Sequence, residues 1–173
     1  MTQFDAFVSG VEVNGQTILS VVEGMGEFRV LALDILRQNG IDNPQPLKWY
    51  SQQDWLNAFK VIHEKLGQYT LQQIGMKIPE NADWPPEIND IESALASIDV
   101  AYHMNHRING RVMFNPVNGT MEEGIGHYGY EKVSERKIKM VCDNPYPCDF
   151  DKGIILAVAK KFKPKDAINV NVK

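Results

Sequence analysis

The sequence has few cysteines, no basic run and no long apolar run. Two cysteines, Cys142 and Cys148, are too few for the disulfide framework of a small secreted protein, so we expect a reducing, cytoplasmic location. The net charge is −4 and lysine and arginine are scattered, which predicts no nucleic-acid partner. The longest apolar run, GIILAVA, is far shorter than the ~20 residues of a membrane span, and the first residues do not resemble a signal peptide. We therefore expect no membrane span.

The common catalytic motifs are also missing. The chain contains no G-x-S-x-G, no H-E-x-x-H and no phosphate-binding P-loop, so the usual grounds for proposing an enzyme are absent. The hydrophobic fraction of 43% and the charged fraction of 23% are ordinary for a globular protein. A length of 173 residues then predicts one compact domain spanning 1–173.

Hydrophobic spacing predicts helices in the first part of the chain and strands after them. The predicted helices follow Asn14-Gly15 and cover 28–40, 51–67, 70–79, 88–105 and 149–162. The predicted strands cover 110–115, 126–133, 136–142 and 168–172. This order predicts an α+β fold in which helices pack on one mostly antiparallel sheet.

The end of the long predicted helix carries the first candidate site. Asp99 and His103 lie one helical turn apart, as do Tyr102 and His106, so four polar groups border an apolar stripe. Two histidines three residues apart can also reach one metal ion. Alternatively, the histidines bind free carbonyl groups at a helix end, or all four groups form a structural core network. The segment from Tyr130 to Arg136 is the expected source of further partners.

The segment from Asp143 to Gly153 is a second candidate. Asp149 is expected to cap the following helix, which would place Cys148 at the helix N-terminus, where a thiolate is stabilised. Cys142 is expected to pack as a small hydrophobic residue. The functional interpretation of the segment is that it carries a reactive thiol or half of a metal site. The structural interpretation is a stiff turn with two prolines. Tyr146-Pro147 is a candidate for a cis peptide bond.

A third stretch contains three closely spaced glycines, Gly124, Gly126 and Gly129. Such spacing is found in phosphate-binding loops, but no lysine-serine or lysine-threonine pair follows it here. A flexible hairpin is the interpretation that we prefer.

Two stretches of the chain resemble a known superfamily. Residues 91–107 and 143–155 are similar to bacterial domains of the four-vinyl-reductase-like group and, more distantly, to heme nitric-oxide-binding domains. The superfamily also includes subunits of the Golgi-transport tethering complex, and the resemblance covers most of 11–173. It implies an α+β domain with a pocket between helices and sheet, which senses small molecules or forms homodimers. Heme is a possible cofactor by the same resemblance.

Heme nitric-oxide-binding domains hold the heme propionates with a Tyr-x-Ser-x-Arg motif. Here Ser134-Glu135-Arg136 is present, with Tyr130 two residues further upstream than the motif requires. The predicted ligand-binding residues are Asp99, Tyr102, His103, His106, Tyr130 and Arg136. Three functions follow as hypotheses: a sensor or binding domain for heme or another small apolar ligand, a self-associating assembly module without ligand, and a tetrapyrrole-related reductase.

Overall fold

The computed structural model describes residues 3–172. The helices are α1 (Gly15–Gly24), α2 (Arg29–Gln38), α3 (Gln52–Glu80), α4 (Ile91–Met104) and α5 (Cys148–Lys161). The strands are β1 (Val11–Asn14), β2 (Trp49–Ser51), β3 (His106–Ile108), β4 (Arg111–Val112), β5 (Phe114–Asn115), β6 (Thr120–Met121), β7 (His127–Ser134) and β8 (Lys137–Asp143). No helix within the described range is long and apolar enough to cross a membrane.

The strands form three antiparallel sheets. A four-stranded sheet has the order β2-β1-β3-β4, while β5 pairs with β6 and β7 pairs with β8. The predicted α+β class is confirmed. The prediction that 110–115, 126–133, 136–142 and 168–172 share one sheet is wrong, and 168–172 form no strand.

Short strands and sharp turns explain why the single sheet does not form. Strands β4, β5 and β6 have two residues each, which leaves too few backbone groups for a longer ladder. Gly110 adopts a φ of 76° between β3 and β4, so the chain reverses there. Strand β7 packs against α4, and the β7–β8 hairpin is therefore separated from the four-stranded sheet.

Helix α3 forms the centre of the core and packs mainly against α5 and α1. Its first half buries Trp55, Phe59 and Ile62, each at most 1% exposed. Gly67 has φ 77° and ψ 175°, so the helix breaks there, as its position in the sequence predicts. The second half runs to Glu80, one residue beyond the predicted end at Pro79.

Two glycines bring α3 and α5 into backbone contact. A Cβ on Gly75 would lie 2.1 Å from the carbonyl oxygen of Phe150. A Cβ on Gly153 would lie 2.2 Å from the carbonyl oxygen of Gln72. Any larger side chain at either position therefore forces the two helices apart.

Helix α4 begins at a capping box. The Asp90 carboxylate accepts the Ser93 N–H at 2.8 Å, and the Ser93 hydroxyl lies 3.4 Å from the Asp90 N–H. The helix therefore begins at Ile91, three residues later than predicted. It buries Ala94, Leu95 and Ile98 before it reaches the candidate site.

Helix α5 begins at Cys148, so Asp149 lies in its first turn and the prediction that Asp149 is the cap is wrong. Pro147 occupies the capping position with extended backbone. No cis peptide bond occurs among residues 3–172, so the Tyr146-Pro147 bond is trans and the cis prediction is also wrong.

Candidate functional site

Three side chains meet where the end of α4 contacts the start of β7. Asp99 and His103 come from α4, and His127 is the first residue of β7. Each offers one nitrogen or carboxylate oxygen, and these atoms lie within 4.8 Å of one another. We call Asp99, His103 and His127 the α4–β7 cluster.

Asp99 joins the hairpin to the helix. Its Oδ1 accepts the backbone N–H of Tyr128 at 2.9 Å, and its Oδ2 lies 2.9 Å from Nδ1 of His127. The carboxylate is only 18% exposed, so these two bonds replace most of its contact with water. The first residues of β7 are therefore held on α4 by one carboxylate.

His127 lies between two carboxylates. Its Nδ1 faces Asp99, and its Nε2 lies 3.1 Å from Oε2 of Glu123. The hydrogen bond to Asp99, reinforced by the one to Glu123, raises the pKa of His127 above its usual 6.5. The imidazole is 38% exposed and Glu123 is 80% exposed, so the cluster opens to solvent on this side.

His103 is completely buried and has an unpaired nitrogen. Its Nδ1 donates to the backbone carbonyl of Asp99 at 2.9 Å, whereas the Asp99 carboxylate is 3.6 Å away. The carboxylate thus orients His127 rather than His103, which differs from the predicted Asp99–His103 pair. Nε2 of His103 has no hydrogen-bond partner, and leaving such a group unpaired costs about 1–3 kcal/mol.

The loop between β6 and β7 covers the helix beside this cluster. Ile125 is fully buried, and its carbonyl accepts the Tyr102 hydroxyl at 2.8 Å. Gly126 has a φ of 78°, and a Cβ there would lie 1.8 Å from the Asp143 carbonyl oxygen. Gly126 therefore allows a close approach between the loop backbone and Asp143.

His106 belongs to an adjacent network in the core. Its Nδ1 donates to the Tyr102 carbonyl at 2.8 Å, and its Nε2 accepts from the Tyr146 hydroxyl at 3.0 Å. Burial lowers the pKa of His106 to about 4. The His106 side chain is thus neutral at pH 7 and both of its nitrogens are hydrogen-bonded. It therefore fits the structural core network that the sequence analysis gave as the alternative to a binding site.

A second buried network surrounds Asp151. Its carboxylate accepts the Tyr128 hydroxyl at 2.5 Å and the Asn144 amide at 3.2 Å. Burial raises the pKa of Asp151 to about 7. It also raises the pKa of the neighbouring Cys142 thiol to about 12. Cys142 is half-buried against the core, as predicted. Cys148 is exposed and accepts a hydrogen bond from Gln3 at 3.1 Å.

Tyr130 and Arg136 lie elsewhere on the hairpin. The Tyr130 hydroxyl is 3.4 Å from Glu92 at the start of α4, and Arg136 pairs with Asp166 at 3.1 Å while 80% exposed. The structure thus brings together Asp99 and His103, and places Tyr102 and His106 in the adjacent core. The cluster residue that the sequence reasoning missed is His127, with Glu123 as its partner.

A heme does not fit the predicted histidines. An axial ligand needs a free nitrogen facing a cavity large enough for a porphyrin. Both nitrogens of His106 are paired, and the free nitrogen of His103 belongs to a fully buried side chain packed on the rings of Tyr102 and His127. Open cavities of about 380 and 340 Å³ lie away from these histidines, beside Met76 and Arg111.

Comparisons with protein-family models, with curated proteins and with solved structures found no match for this chain. The chemistry of the α4–β7 cluster is that of two imidazoles and a carboxylate, with a second carboxylate at the surface. Such groups can exchange a proton, bind a polar ligand or hold a metal ion.

Proposed function

We propose that the chain is a small-ligand-binding domain that holds its ligand at the α4–β7 cluster and acts as a sensor. The observation that carries this proposal is the unpaired nitrogen of the fully buried His103, which lies beside the partly exposed His127. A buried polar group without a protein partner is uncommon in native structures and is often explained by a function or an unseen ligand.

The surroundings of the cluster support a ligand site. Tyr102, Ile125 and Tyr128 are buried next to it and supply an apolar wall. Small-molecule sites generally combine such a wall with a few convergent polar groups. The resemblance to small-molecule-sensing bacterial domains points the same way, and the cytoplasm is the location that we propose for this activity.

The hydrogen bonds of Asp99 suggest how binding becomes a signal. A ligand that donates a hydrogen bond to the Asp99 carboxylate competes with Tyr128 N–H and with His127 for the same oxygens. The bonds between Asp99 and β7 are then weaker, and the start of β7 is less firmly attached to α4. A ligand can shift such an equilibrium only by its difference in affinity for the two states. The hairpin is therefore the element that we expect to respond.

The proposal is tested on protein freshly purified from cells. Native and denaturing mass spectra are compared for the wild type, for Asp99→Asn and for Asp34→Asn, which alters an exposed carboxylate on α2. We expect a retained non-covalent mass in the wild type and in Asp34→Asn that is reduced in Asp99→Asn. A visible spectrum of the same sample shows whether any such mass is a heme. If no preparation retains a ligand, or if all three variants retain it equally, the proposal is wrong.

Homodimer formation is a second candidate function, favoured by the open edge of the hairpin. Strand β8 has seven residues, and β7 is its only pairing partner within residues 3–172. A free strand edge of this kind can pair with the same edge of a second copy around a two-fold axis. Light scattering at high micromolar concentration should then give twice the monomer mass of 19.6 kDa. A monomer mass under those conditions contradicts this candidate.

A further inference from the structure

We propose that the α4–β7 cluster is a binding site for a divalent transition-metal ion of the Zn²⁺ type, with Asp99, His103 and His127 as ligands. This inference rests on the proposed function and names the ligand class of the same site. The three ligand atoms already lie within 4.8 Å of one another. They come from one turn of α4 and from the first residue of β7, both of which are regular elements.

The distances are close to what a metal ion requires. Tetrahedral Zn²⁺ with bonds of about 2.0–2.2 Å holds its ligand atoms roughly 3.3–3.6 Å apart. The Asp99 carboxylate lies 2.9 Å from Nδ1 of His127, and a nitrogen of His103 lies within 4.8 Å of the other two ligand atoms. The ligating nitrogen of His103 would be Nε2, because Nδ1 donates to the Asp99 carbonyl.

The donor atoms select the kind of metal. Two imidazole nitrogens and one carboxylate are typical of Zn²⁺ and related ions, whereas Ca²⁺ and Mg²⁺ prefer sites built from oxygen alone. An ion also explains His103, because it offers this residue a bond that no protein group supplies to its second nitrogen. Three protein ligands leave one coordination position for water or for a small ligand.

Glu123 would act as a positioning residue for His127. Histidine ligands usually direct their second nitrogen to a carboxylate, which fixes the ring and makes the ligating nitrogen more basic. Glu123 accepts from Nε2 of His127 at 3.1 Å, and Nδ1 is then the nitrogen that faces Asp99 and the ion.

The test titrates chelator-treated full-length protein with Zn²⁺ by calorimetry and with Co²⁺ by visible absorption. We expect one ion per chain and a Co²⁺ spectrum typical of low coordination number. His127→Ala should lose more than about 100-fold in metal affinity. Glu123→Gln, which changes an exposed residue, should lose about 10–100-fold in affinity and leave the Co²⁺ spectrum unchanged. The matched control is His63→Ala, which alters a half-buried histidine near Phe4 and should bind like the wild type.

Three outcomes overturn the metal site. They are a wild type that binds neither ion, a His63→Ala variant that loses as much affinity as His127→Ala, and a Glu123→Gln variant that binds as tightly as the wild type. Circular dichroism of each variant confirms that the fold is retained, and Glu123→Gln keeps the test valid if His127→Ala does not fold. A retained organic mass that depends on Asp99, found without any metal binding, would refute this inference and leave the proposed function standing.

Discussion

Asp151 gives the chain a pH-dependent stability that one substitution should remove. The carboxylate is 3% exposed, and no cation is among its hydrogen-bond partners, Tyr128 and Asn144. Burial therefore raises its pKa from 3.8 to about 7. In Asp151→Asn the side chain keeps an acceptor for the Tyr128 hydroxyl but can no longer ionise.

The sign and the size of the effect follow from proton linkage. Between pH 4 and pH 7 the folded chain holds a proton on Asp151 that the unfolded chain has lost, so the free energy of unfolding decreases as the pH rises. The stabilisation is fully present below the unfolded pKa of 3.8 and is lost as the pH passes the folded value of about 7. For these two pKa values, the loss between pH 5 and pH 8 is about 2–3 kcal/mol.

Urea unfolding at pH 5 and at pH 8 measures this difference. Between pH 5 and pH 8, the wild type should lose about 2–3 kcal/mol more unfolding free energy than Asp151→Asn. Asp149→Asn removes the same charge from the same helical turn and should retain the wild-type change. If Asp151→Asn also retains it, the carboxylate titrates normally and the argument from burial is wrong.

Three further substitutions test the packing. Gly126→Ala should lower the free energy of unfolding by at least about 2 kcal/mol, because its Cβ meets the Asp143 carbonyl. Gly119→Ala, which has a similar φ but open space around it, should lower it by only about 1 kcal/mol. Equal losses in urea unfolding would argue against the close approach. Tyr146→Phe leaves Nε2 of His106 without a donor and should cost about 1–3 kcal/mol in the same assay, so an unchanged stability would show that this bond is unimportant. Asn14→Ala removes the side-chain oxygen that accepts the Thr17 N–H at the start of α1 and should cost about 1 kcal/mol, and no loss would contradict that capping role.

The helices were predictable because their signals are local. Trp55, Phe59 and Ile62 repeat at helical spacing, and the structure buries all three. Gly67 predicted the break in α3 because glycine readily adopts the positive φ that interrupts an α-helix. The sheet was predicted less well, since strand pairing depends on contacts between distant segments, and two-residue strands such as β4 carry almost no periodicity.

Two of the three residues of the α4–β7 cluster were predictable from the sequence and the third was not. Asp99 and His103 share a helix, so their spacing alone places them together. His127 lies 28 residues beyond Asp99 and reaches it only because the glycine-containing loop folds over α4. The four-residue spacing of Glu123 and His127 was the available signal, but in an irregular loop that spacing implies no contact. Arg136 was predicted from a motif, and the hairpin turn carries it to the surface.

The glycine contact between α3 and α5 limits the relative movement of these two helices. With Gly75 and Gly153 each in backbone contact with the opposite helix, neither helix can slide or rotate without atoms overlapping. The start of β7, by contrast, is held by side-chain hydrogen bonds, those of Asp99 on α4 and that of the Tyr128 hydroxyl to Asp151 on α5. If the proposed ligand loosens the start of β7 from α4, we expect the response in the β7–β8 hairpin rather than in the paired helices.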